Sequence, residues 1–99
     1  MARFDVYRLG GEGLLVIDCQ ADLLAGLNTR VVVPLLAPEE APRPARHLNP
    51  VFDVDGAPRV MVTQMLSAVE LRELGEGVGS LDGQAHVILN ALDFLLTGV

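Results

Sequence analysis

Chemistry needs acids, bases, nucleophiles or metal ligands at workable spacings, and this chain offers few of them. His47 and His86 are its two histidines, and Cys19 is its one cysteine. Neither histidine stands in a spacing such as H-E-x-x-H, and no second cysteine accompanies Cys19 to form a thiolate site, so no metal and no cofactor is expected. Cys19 lies in the apolar run "LLVIDCQ", where a thiol packs as a small hydrophobe rather than acting as a nucleophile. Asp53 and Asp55 form a D-x-D, but a tight turn already favours Asp for local hydrogen bonding. Gly75, Gly77 and Gly79 resemble a phosphate cradle only superficially. They lack the P-loop lysine and the full G-x-G-x-x-G spacing, and read as backbone punctuation. Arg43, Arg46 and His47 make the one local basic cluster, read most simply as solvating charge. The same residues are the foothold for an enzymatic alternative, phosphate stabilisation in an RNA-cleaving site. No catalytic residue is assigned.

The background charge points away from nucleic acid. With seven basic and thirteen acidic residues the formal net charge is -6. That sign repels phosphate backbones and removes the counterion-release term behind nonspecific nucleic-acid binding. It favours encounter with basic partners instead. Ninety-nine residues suit one domain, 1–99, and are too few for two adequate cores. Apolar residues make up 51% of the chain and aromatics 4%, so the core must be built mainly from Val and Leu, and a buried subunit interface is suggested. The single cysteine, the lack of a signal-like start and the absence of an apolar run near ~20 residues point to a reducing cytoplasm and no membrane.

The elements that must carry these residues follow from periodicity. "RFDVYRL" places Phe4 and Val6 on one face and Arg3 and Asp5 on the other, a strand pattern over Arg3 to Leu9. Gly10, Gly11 and Gly13 break it, and Leu14 to Gln20 forms the second arm of a hairpin. "ADLLAGLNT" reads as an irregular turn in which the adjacent Leu23 and Leu24 cannot both face a core. Arg30 to Leu36 is a third strand, its ladder interrupted at Pro34, which has no amide proton to donate. Ala37 to Pro50 holds four of the six prolines and reads as an extended, polyproline-like surface connection.

"PVFDV", the Asp55–Gly56 turn and "RVMVTQM" make a second hairpin, with Val60 and Val62 alternating against Met61 and Thr63. Ser67 to Glu70 fits an S-x-x-E capping box, although "VELREL" also alternates like a strand, and the glycines from Gly75 to Gly79 end whichever forms. Ser80 or Asp82 then caps a helix through about Leu96. Its stripe is Leu81, Ala85, Ile88, Leu92 and Leu95, and Gly98 stops it. The plan is five or six strands and one terminal helix.

The ordered segments "FDVYR", "VIDCQADLL", "TRVVVPL", "LNPVFDVDG" and "MVTQM", with a helix ending in a penultimate glycine, resemble the CcdB family of toxins. The resemblance runs nearly end to end. It implies a mainly β fold with a C-terminal α-helix, an SH3-like small β-barrel of the CcdB/MazF type, assembled as a homodimer. It further implies a non-enzymatic toxin of a type II toxin–antitoxin system, with a part in plasmid maintenance and transcription regulation. Such a toxin poisons DNA gyrase by binding the enzyme's A-type subunit, trapping its cleavage complex. A cognate CcdA-like antitoxin with a disordered tail relieves it. The implied gyrase-contacting positions are Leu23, Leu24, Asp93, Leu96, Thr97, Gly98 and Val99. Thr97 stands where the family pattern has tryptophan, and Asp93 where asparagine is usual. The alternatives are a MazF/Kid-like messenger RNA endoribonuclease and a non-toxic homologue that only binds antitoxin.

Overall fold

The computed structural model describes residues 2–11 and 13–98. Seven strands and one helix follow in chain order: β1 (Asp5–Leu9), β2 (Leu14–Asp18), β3 (Thr29–Leu36), β4 (Val51–Val54), β5 (Ala57–Met61), β6 (Ser67–Glu70), β7 (Leu74–Ser80) and α1 (Ala85–Thr97). All pairings are antiparallel, in the order β4-β5-β3-β2-β1-β7, with β6 added to the first half of β3. Only one 3₁₀ turn, Leu71–Glu73, separates β6 from β7. Because β6 pairs with β3 and β7 with β1, the β1-β2-β3 strip must curl until its two edges are bridged, which produces a small half-barrel.

The curl separates two apolar layers. Alternation along β2 sends Val16 inward, where it meets Tyr7, Val32, Val69 and Leu74. Leu15 and Ile17 point the other way into the larger core, with Val6, Val33, Leu35 and Met61 from the sheet and Ile88 and Ala91 from α1. Strand β2 is therefore buried on both faces, which explains its unbroken apolar run.

Pro34 sits inside β3 opposite Val16. Its carbonyl accepts from Val62 N–H at 3.0 Å. On that edge β6 pairs only with Thr29 to Val32 and β5 only with Leu35 and Leu36. The missing proline donor thus falls where two partner strands part, so the expected interruption affects one edge and leaves the β2 ladder whole.

Several expectations need correction. Strand β1 starts at Asp5, because Phe4 takes a positive φ of 71° as its N–H turns to Asp18 O; Phe4 and Val6 still share the large core. Ser67 to Glu70 is strand β6 rather than a capped helix start, because the free edge of β3 recruits it. The capping box forms one step later, between Glu70 and Glu73 around the 3₁₀ turn. Gly75, Gly77 and Gly79 lie within β7, whose pairing with β1 carries two register shifts. A Cβ on Gly75 would stand 3.0 Å from Arg8 O, and one on Gly77 3.5 Å from the Tyr7 ring. Gly75 thus admits a close backbone approach, and the glycines run through the strand instead of terminating it.

Strand β5 ends at Met61 and Thr63 starts a 3₁₀ turn, so the strand is shorter than the alternating stretch, and Val60 to Thr63 are all buried. No side chain caps α1 directly. Ser80 Oγ accepts from Asp82 N–H at 3.2 Å at the 3₁₀ turn Asp82–Gln84 that precedes it.

Asp55 and Gly56 both take positive φ, as a twist-matched two-residue hairpin turn requires. The segment from Ala37 to Pro50 contains no strand or helix, as expected, but it is anchored rather than loose. Buried Asn49 donates to Met61 O at 3.1 Å and Gln64 Oε1 at 2.8 Å while accepting from Ala45 N–H. Thr63 Oγ1 also donates to Leu48 O.

Candidate functional site

The connection between β2 and β3 presents apolar side chains to solvent. A 3₁₀ turn, Asp22–Leu24, holds Leu23 at 93% and Leu24 at 46% exposure, and Leu27 is half exposed beside them. Exposed leucines in a cluster mark a contact surface more often than isolated ones do. Polar groups beneath the turn fix its shape. Gln20, itself buried, accepts from Val31 N–H at 3.1 Å and donates through Nε2 to Leu24 O at 3.1 Å. Arg30 donates through Nη2 to Ala25 O at 3.3 Å and through Nη1 to Asp18 Oδ2 at 3.1 Å. The second Asp18 oxygen accepts from Gln20 N–H, and Asp22 Oδ1 accepts from Arg3 N–H.

Asp18 has no solvent exposure. Burial raises its carboxyl above the usual value, opposed by the Gln20 amide and the Arg30 guanidinium. Burial also raises the nearby Tyr7 hydroxyl, reinforced by Asp5 and Asp18.

The second sequence-derived patch is the end of α1. Leu96 is 71% exposed, Asp93, Thr97 and Gly98 are exposed, and Leu92 and Leu95 are half-buried, Leu92 against the core. Gly98 closes the helix by donating to Phe94 O at 2.9 Å. Thr97 turns its hydroxyl back onto the helix, donating to Asp93 O at 2.7 Å. Val99 lies outside the described residues. Among the described residues no hydrogen bond links this patch to the Leu23–Leu24 turn.

The remaining chemistry-bearing residues do not converge. A cleft of about 380 Å³ between the Pro44–Pro50 segment and α1 is lined by Arg46 and His47, with Val87 and Asn90 across from them. The His47 ring rests tilted against Phe94, centroids 6.1 Å apart. Asp53 lines a neighbouring cleft with Val51 and Gln84, while Asp55 occupies its turn. Cys19 is buried; desolvation pushes its thiol up to about 12, and Sγ donates to Ile17 O. Among the described residues no group of three or more His, Cys, Asp or Glu side chains is placed to hold a metal ion, and no helix is long and apolar enough to cross a membrane.

The family model described as CcdB protein matches residues 3–98. The chain belongs to the CcdB family. The fold also resembles a solved structure described as an endoribonuclease in complex with its cognate antitoxin from mycobacterial species. That match has a TM-score of 0.78 and 18% identity, over 97% of this chain and 94% of the other. At that identity the likeness concerns the fold, and the mainly β half-barrel with one terminal helix is what a CcdB-type chain should have.

Sequence reasoning missed two exposed apolar side chains within the two patches, Leu27 and Phe94, and a third in the Thr63–Met65 turn, Met65. Leu27 could have been found, since it follows Leu24 by three residues in a segment already read as a turn. Phe94 gave no separate signal because it sits inside an apolar helix sequence. The Asp18–Arg30–Gln20 network under the turn was also invisible, its partners being separated along the chain by up to twelve positions.

Proposed function

We propose that this chain is the toxin of a type II toxin–antitoxin pair that inhibits DNA gyrase by binding its A-type subunit, trapping the cleavage complex. On this reading residues 1–99 act as one toxin unit, a cytoplasmic homodimer held inactive by a CcdA-like antitoxin whose disordered tail wraps it. Family membership supports the toxin role. The observation that carries the target assignment is the apolar surface of the Leu23–Leu24 turn, fully folded yet open to solvent. The contact set is Leu23, Leu24, Asp93, Leu96, Thr97, Gly98 and Val99.

The test is capture of the purified A-type subunit of gyrase, together with accumulation of cleaved DNA, by the full chain, by Leu23→Ala/Leu24→Ala and by a chain ending at Leu96. Loss of capture in both variants supports the assignment. Equal capture by the shortened chain removes the helix tip from it, and no capture by the full chain removes gyrase.

A second reading, messenger RNA cleavage, draws on the Arg46–His47 cleft and on the endoribonuclease with the similar fold. Cleavage of single-stranded RNA that is lost in Arg43→Ala or Arg46→Ala would reverse the ranking. Normal growth on expression without antitoxin would favour a homologue that only binds antitoxin.

A further inference from the structure

We propose that Gln20 and Arg30 are positioning residues for the Leu23–Leu24 contact, locking the exposed turn before any partner arrives; this rests on the contact assignment made above. Strand β2 stops at Asp18, and after the Cys19 N–H bond to Val31 O no further backbone bond continues the β2-β3 ladder into the turn. Gln20 takes over that role with its side chain. Its Oε1 replaces a strand carbonyl for Val31 N–H, and its Nε2 reaches across to Leu24 O. Arg30 clasps the next carbonyl, Ala25 O, and is itself held by Asp18. The two carbonyls following the exposed leucines are therefore fixed from beneath by side chains that are almost wholly buried.

Stability alone gives little reason for this arrangement. A buried ion pair is often matched or exceeded in stability by apolar residues of similar size. The site beside Asp18 and Arg30 is already lined by Val16 and Val32 on the same inner face. What the polar groups add is direction, since apolar packing cannot specify where two backbone carbonyls sit. A turn that is ordered in the free protein loses less freedom on binding, and affinity rises accordingly.

The experiment uses the full chain carrying Gln20→Met, which keeps the side-chain length and removes both hydrogen bonds. Amide hydrogen exchange should quicken at Leu24, Ala25 and Leu27, whose turn bonds go to Ala21, Asp22 and Leu24 carbonyls. Exchange at Tyr7, Val16 and Val32 should be unchanged. Affinity for the A-type gyrase subunit should fall about tenfold. In a Leu23→Ala/Leu24→Ala background the same substitution should cost nothing further, a non-additivity that a general loss of stability would not produce.

If Gln20→Met fails to fold, Gln20→Glu serves in its place. It retains the acceptor for Val31 N–H and loses only the donor to Leu24 O, so faster exchange at the turn is again expected. Unchanged exchange at the turn in the folded variant overturns the proposal. So does full additivity with the leucine pair. If the leucine substitutions leave gyrase binding intact while Gln20→Met still loosens the turn, positioning stands and the contact assignment fails.

Discussion

Replacing Arg30 with methionine breaks the buried ion pair beneath the Leu23–Leu24 turn. The Asp18 and Arg30 side chains are 0% and 3% exposed and meet at 3.1 Å. Methionine fills much of the same stem volume but leaves the Asp18 carboxylate buried without its cation. It also removes the bond to Ala25 O. Losing one partner of a buried pair costs roughly 3–5 kcal/mol, because the remaining charge stays desolvated.

The pH dependence follows in sign. Burial already raises Asp18 above its ordinary 3.8 and the Arg30 charge opposes that rise, so removing Arg30 lifts the folded-state value further. A carboxyl raised on folding contributes stability that is present below its unfolded value and lost as pH rises through the folded one. The deficit of Arg30→Met relative to the parent should therefore be small near pH 4 and grow towards neutrality. Urea titrations at several pH values measure it. Asp18→Leu in the same chain should restore most of the loss at pH 7. A deficit below about 1 kcal/mol at pH 7, or one independent of pH, would refute the reasoning that desolvation of Asp18 dominates.

Other perturbations test different parts of the fold. Gly75→Ala drives a Cβ to 3.0 Å from the Arg8 carbonyl and should cost about 1–3 kcal/mol by thermal melting. Gly83→Ala, which meets nothing within 4 Å, should stay within ~1 kcal/mol of the parent. The Cys19 thiol, held protonated up to about 12, should resist alkylation at pH 8 until the chain unfolds. Its contribution to stability should be lost as pH rises from 9.0 through about 12, and Cys19→Ala should remove that component of alkaline unfolding. Thr97→Trp should strengthen capture of the A-type gyrase subunit by about thirtyfold if the helix tip is a contact, since a buried aromatic anchor commonly contributes ~2 kcal/mol.

Local chemistry made part of this fold legible. The Asp55–Gly56 turn announces its hairpin because only a few residues accept two consecutive positive φ angles. The helix period places Ile88 and Leu92 on the core, although the fully buried Ala91 lies outside the expected stripe and Leu95 is not among the residues packed there. The failures arose where tertiary demand overrode a local signal. Ser67 and Glu70 have the spacing of a helix cap, yet Thr29 to Val32 exposes a strand edge that "SAVE" satisfies. The β7 glycines look like breakers until the strand is seen to run through them, with the Arg8 carbonyl close against Gly75. At the candidate site, two adjacent leucines in a turn were enough to expect one of them exposed, and the structure exposes both. The groups that hold them were not legible, because Asp18 reads as a strand-ending acid and Arg30 as a strand-opening base.

The same geometry redistributes weight within the proposed contact surface. At the helix tip Leu96 stands out, but the Thr97 hydroxyl is committed to Asp93 O and offers neither a ring nor a free donor. Asp93 adds a negative charge beside it. The turn, by contrast, groups Leu23, Leu24 and Leu27 on a backbone fixed by Gln20, Arg30 and Asp22. Interface energy concentrates where apolar side chains are both desolvated on binding and rigid beforehand. In this CcdB family member the energetic centre of target binding should therefore sit on the turn, with the tip setting orientation, so truncating the leucines should weaken binding more than removing Thr97 to Val99.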